Sequence, residues 1–119
     1  MRESPLVTKS LHFAARIVKL HRYLTKEKKD TVIAKQIIRS GTSIGANVNE
    51  ANYGQSKADF VAKMSIALKE TAETEYWLRL LLLTDMITPS MGDSLLNDCL
   101  ELKRLLIASV KTVKERESE

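Results

Sequence analysis

The residues of this chain that could do chemistry are polar groups repeated at helical spacing. Arg39, Ser43, Asn47 and Glu50 follow steps of four, four and three, which puts them in one line along a helix. Glu70, Glu73 and Trp77 form a second such line. Two carboxylates three residues apart could bind a metal ion. The Glu-x-x-His pairs of ferritin-like sites are missing, so no metal is expected. His12 and His21, nine apart, have no Cys or carboxylate at zinc-ligand spacing. Gly41-Thr42-Ser43-Ile44-Gly45 lacks the Gly-Lys-Ser/Thr of a phosphate-binding loop. No Ser, Thr or Cys has a nearby His to act as its base. The chain therefore reads as a protein without catalysis or cofactor.

The two polar lines have a simpler use. If the helices that carry them form a hairpin around Gly54, Arg39 stands level with Glu70, and Ser43 with Ser65. An Arg–carboxylate pair between packed helices can be bidentate. Such a pair sets helix register more reliably than it adds stability. The competing reading is a binding cluster built from Arg39, Ser43, Asn47, Glu50, Glu70 and Glu73.

Attraction of phosphate is the remaining chemistry. The net charge of +4 is unevenly placed. Residues 1–30 hold eight Lys/Arg against three Asp/Glu, residues 31–89 six against six, and residues 90–119 five against six. Lys9, Arg16, Lys19, Arg22 and Lys26, with Lys28 and Lys29, could meet the phosphates of RNA or DNA. Tyr23 could stack a base. The alternative is an ordinary solvated helix face whose charge serves solubility, on a structural or protein-interaction module with no nucleic-acid role. In an oligomer the patch would repeat and strengthen the positive field.

The elements that carry these groups are all helices. Four Gly, two Pro and few aromatics among 119 residues argue against a turn-rich β fold. The length fits a single domain, residues 1–119. The spacing predicts helices over about residues 5–24, 31–52, 56–84 and 89–114. Ser4-Pro5 starts the first, whose core stripe is Leu6, Phe13, Ile17, Leu20 and Leu24, widened by Leu11, Ala14 and Val18. Asp30 or Thr31 caps the second, and Gly54 is its expected left-handed terminator. Gly41 and Gly45, four apart in that helix, cost helix propensity and so imply close approach of a neighbour. Ser56 and Asp59 open the third helix as a capping box. Thr88-Pro89 opens the fourth, with Ser90 as a competing start, and its tail from Lys114 is expected to fray. Short connections make the neighbours antiparallel, so the architecture is an up-down-up-down four-helix bundle.

The apolar surface exceeds what one bundle needs. Leu96, Leu100 and Ile107 form a second line on the fourth helix, and Leu80 and Leu83 lie where the third is apolar all round. Exposed together they would make a patch too large for a monomer, so a homo-oligomer is expected. No apolar run reaches about 18 residues, so no membrane span is expected. The first residues lack a signal-peptide core. The single Cys99 at core spacing fits a reduced thiol in the cytoplasm.

Three segments together resemble a known family. They are Gln36-Ile37-Ile38-Arg39-Ser40-x-x-Ser43-Ile44-x-Ala46-Asn47-x-x-Glu50, then Asp59-Phe60 with Ile66-Ala67-Leu68-Lys69-Glu70, then Glu73-x-Glu75-Tyr76-Trp77-Leu78. The pattern is similar to the bacterial four-helix bundle proteins called S23 ribosomal proteins, or 23S rRNA intervening-sequence proteins. The resemblance implies a barrel-shaped homopentamer with a positive surface. It also implies kinship with accessory proteins of diversity-generating retroelements, which bind nucleic acid and a reverse transcriptase, so a protein partner is a further expectation. The family takes its name from genes inside insertions in 23S rRNA genes, which does not make its members ribosome components. Gly45 stands where members often have Pro, removing an expected kink, and Ala51 stands where they often have Gly.

Overall fold

The computed structural model describes residues 4–118, and the signal-peptide reading of residues 1–3 lies outside them, as does residue 119. Four helices run in chain order: α1 (Pro5–Lys26), α2 (Val32–Asn52), α3 (Lys57–Leu83) and α4 (Pro89–Ser118). Each packs on its chain neighbour, and α1 meets α4 along a thinner seam. The contacts run in opposite senses along each pair. Ser10 and Ile17 of α1 meet Gly45 and Gly41 of α2, and Lys9 and Arg16 meet Glu101 and Asp98 of α4. The result is the expected up-down-up-down bundle, 51 × 21 × 21 Å.

Local chemistry explains the boundaries. The Ser4 hydroxyl accepts the Val7 N–H at 3.2 Å, and Pro5 fills the first helical position. Ser56 does the same for the Asp59 N–H and Thr88 for the Met91 N–H. Thr88 thus prevails over Ser90 as the start of α4. At α2 the cap is Asp30, not Thr31. Asp30 Oδ1 accepts the N–H groups of Val32 and Ile33, while the Thr31 side chain makes no capping bond.

Two expectations about helix ends fail. Gly54 is not left-handed, since no glycine among the described residues has positive φ. Its Cα is pressed instead: a Cβ there would lie 2.9 Å from Asp59 Oδ2 and 3.0 Å from the Ala51 carbonyl. The left-handed residues are Lys29 and Asp85, just past α1 and α3. Asp85 closes a Schellman motif, with the Met86 N–H on Leu81 O and the Asp85 N–H on Leu82 O. Nor does α4 stop near Lys114, because its helix continues to Ser118.

The core is the set of inward stripes. Leu6, Phe13, Ile17, Leu20 and Leu24 of α1 meet Ile37, Ile44 and Val48 of α2, Met64, Leu78 and Leu81 of α3, and Leu95, Leu102 and Leu106 of α4. Gly41 and Gly45 lie against α1, as their spacing implied. Leu11 does not widen the core stripe, because it points outward and is 66% exposed. Among the described residues four hydroxyl side chains are buried: Ser10 beside it, Ser40 on α2, and Thr71 and Thr74 on α3. Each satisfies its hydroxyl locally, as when Thr71 donates to Ala67 O at 2.7 Å. Thr74 Oγ1 also lies 2.9 Å from Ser40 Oγ, a polar link between α3 and α2. Cys99 is buried, with its thiol 3.5 Å from Thr71 O, and burial pushes its pKa up to about 12.

Candidate nucleic-acid interface

The basic residues of α1 divide by their partners. Lys9 bonds Glu101 of α4 at 2.9 Å. Arg16 bonds Asp98 at 2.6 Å and reaches Ser94 through its backbone oxygen and its hydroxyl. These two cations belong to the α1–α4 seam, where their charge is already matched. Lys19, Arg22, Lys26, Lys28 and Lys29 are exposed and form no ion pair among the described residues. They cluster where α1 ends and turns into α2.

Lys35 extends this cluster, although the sequence pattern alone did not single it out. The register that sets Gly41 beside Ile17 brings Lys35 level with Arg22. It too is exposed and without an ion pair among the described residues. Between residues 19 and 35 the only acids are Glu27 and Asp30, and one Asp30 oxygen is occupied as the cap of α2. Exposed Asp85 and Asp93, near the α3–α4 connection at the same end, offset part of this charge, but the six cations still outnumber the acids on a rigid helix and a short loop.

The polar lines of α2 and α3 meet: Arg39 pairs with Glu70 as expected, and more closely with Glu73 one turn on. Arg39 Nη2 bonds Glu73 Oε2 at 2.5 Å, while Nη1 stands 3.7 Å from Glu70 Oε2. The Trp77 indole N–H donates to the same Glu73 oxygen at 3.0 Å. That bond, aided by Arg39 against the cost of burial, holds the Glu73 carboxyl below the usual carboxylate range. Ser43 turns back to Arg39 O, Asn47 turns back to Ser43 O, and Glu50 pairs with Lys63. Apart from the Glu50–Lys63 pair, which crosses to α3, these residues bond among themselves and their own helices. Among the described residues no group of His, Cys, Asp and Glu has metal-site geometry.

A second ion-pair network was not visible in the spacing. Glu75 receives both Arg79 and Lys103, joining α3 to α4. Burial would raise its carboxyl pKa, but the bonds and charges of Lys103 and Arg79 outweigh that and hold it low.

The apolar residues expected at a subunit contact are unequally placed. Leu83 is 83% exposed and Ile107 is 47% exposed. Leu80, Leu96 and Leu100 are half-buried, and Leu96 packs against the bundle's own core. Leu11, assigned to the core by its spacing, joins the exposed set. No helix among the described residues is long and apolar enough to cross a membrane.

Residues 2–108 match the family model described as 23S rRNA-intervening sequence protein. The fold is similar to a crystal structure, at 1.70 Å resolution, of a protein of unknown function from the S23 ribosomal protein family of Bacteroides thetaiotaomicron VPI-5482. The two share 54% sequence identity and a TM-score of 0.88, over 89% of this chain and 98% of that one. No curated protein matches the chain.

Proposed function

The chain belongs to the 23S rRNA-intervening sequence protein family, and from that premise we propose that it is an oligomeric scaffold that binds RNA or DNA without catalysing a reaction. The observation that carries this reading is the group Lys19, Arg22, Lys26, Lys28 and Lys29, exposed on one end of the bundle without carboxylate partners among the described residues. Lys9, Arg16, Arg39, Lys63 and Lys103 are matched in cross-helix pairs, whereas this group offers several adjacent exposed cations to a phosphate backbone. Phosphate contacts supply sequence-independent affinity through released counterions.

Self-association is the second half of the proposal. Leu11, Leu83 and Ile107 are large apolar side chains facing water, and a second copy of the chain would cover them. A ring of subunits, five being the number the resemblance implies, would repeat the basic end around an axis. Repetition adds contacts without new chemistry, so a polyanion that spans subunits gains avidity.

The test is binding of a mixed-sequence RNA, followed by fluorescence anisotropy. The comparison is between the wild type and a variant carrying Lys19→Glu, Arg22→Glu and Lys26→Glu. The wild type is expected to bind at low salt and the variant to lose that binding. Binding indifferent to the reversals, or none by the wild type at low salt, contradicts the proposal. Light scattering checks assembly, and a monomer at micromolar concentration contradicts the oligomer.

A further inference from the structure

The α1–α4 seam contains a cleft of about 290 Å³ lined by Arg16, Lys19, Leu20, Tyr23, Met91 and Leu95. Its origin is topological. No loop joins α1 to α4, and polar bridges from Lys9 and Arg16 prop that side of the bundle. Leu20 and Leu95, both buried, make an apolar floor. Tyr23 forms one wall, half-buried and packed against the core. Arg16 forms another, its guanidinium anchored by Asp98 at 2.6 Å and by the Ser94 hydroxyl at 2.9 Å.

We propose that this cleft receives one unstacked base of a single-stranded nucleic acid, so that the basic end selects single strands over duplex. The inference rests on the nucleic-acid reading above and adds the class of strand. Asp98 already matches the charge of Arg16, so this guanidinium is poorly suited to a phosphate. The anchored guanidinium and the Tyr23 ring line the same cleft above an apolar floor, a combination that suits a flat heterocycle instead. Lys19 at the rim has no ion pair among the described residues, and Arg22 and Lys26 continue from it along α1. They form a cationic track leading away from the cleft, which matches the phosphates that follow an inserted base. The cleft lies at the small end of ligand pockets, with room for one planar ring. A base stacked within a duplex could not reach it without being flipped out, at an energetic cost.

The test uses the full chain and three probes of one mixed sequence: single-stranded RNA, single-stranded DNA, and the DNA duplex. Tyr23→Ala is expected to weaken binding of the single strands about tenfold and to leave duplex binding unchanged. Tyr23→Phe should retain single-strand binding. Tyr23 and Met91 both pack on the core, so each variant is first checked for its fold by circular dichroism; Met91→Trp fills the cleft and leaves every cation in place. It is expected to abolish the preference for single strands. Of the two single strands, the one bound more tightly identifies the sugar. Equal affinity of the wild type for single strand and duplex overturns this proposal, and so does indifference of a folded Met91→Trp to the single strands. Either result leaves the basic-end reading standing. No binding of any probe at low salt removes both.

Discussion

Ile17 of α1 and Gly41 of α2 touch with no room for another atom. A Cβ on residue 41 would come within 2.8 Å of two Ile17 side-chain carbons. Ile17 is fully buried, so it cannot swing away. Gly41→Ala is therefore expected to destabilise the bundle, although alanine favours helix by about 1 kcal/mol. Overpacking costs roughly 1–3 kcal/mol, which leaves a net loss of up to about 2 kcal/mol. Gly45→Ala should lose less, because its Cβ would sit 3.2 Å from the nearest atom, Ser10 O. Urea unfolding of the two variants checks the order, and a stabilised Gly41→Ala would contradict it.

Glu73 and Glu75 give the fold an acid limit. Both carboxyls lie below their ordinary value of 4.5, Glu73 chiefly through the Trp77 N–H. For Glu75, Lys103 and Arg79 overcome an opposing effect of burial. A carboxyl with a lower pKa in the folded state binds fewer protons there than in the unfolded chain. Its contribution is full above the unfolded value and is lost as pH falls through the folded one. Thermal melts should hold steady from neutral pH to about pH 5 and then decline. Glu75→Gln should make the acid decline shallower. Arg39→Met, which removes one partner of Glu73, should leave a folded protein with altered oligomeric order. Loss of all helicity on that change would make the pair essential to folding.

Much of this was legible in the residues. Period and capping chemistry are local, so the starts at Ser4, Ser56 and Thr88 and the stripe from Leu6 to Leu24 could be read directly. So could the small-residue contact at Gly41 and Gly45. What failed depends on rotation and register between helices. Leu11 fits a stripe by spacing, but Ser10 is the residue turned inward once Gly45 packs on it. Arg39 does stand 3.7 Å from Glu70, the partner its spacing implied, but it bonds more closely with Glu73, one turn on. The candidate interface changed most for the same reason. On one helix Lys9 and Arg16 look like Lys19 and Arg22, and only the placement of α4 gives the first two their carboxylates.

Cys99 should be chemically silent while the fold is intact. Its side chain is buried, and its thiol pKa is pushed up to about 12. Thiolate is the reactive form, so its fraction at mildly alkaline pH falls up to about a thousandfold below that of a free cysteine. A thiol reagent should label the native chain only through opening, and label it rapidly in denaturant. Fast native labelling would contradict the buried placement.

The basic end of the bundle carries the proposed function, and the salt dependence of RNA binding tests that end most directly. For single-stranded RNA, each phosphate neutralised should add about 0.7 to the slope of log affinity against log salt concentration. If Lys19, Arg22 and Lys26 make such contacts, replacing them with Glu should flatten the slope by roughly two units for each engaged subunit. An unchanged slope in the variant, or no binding by the wild type even at low salt, would contradict the account.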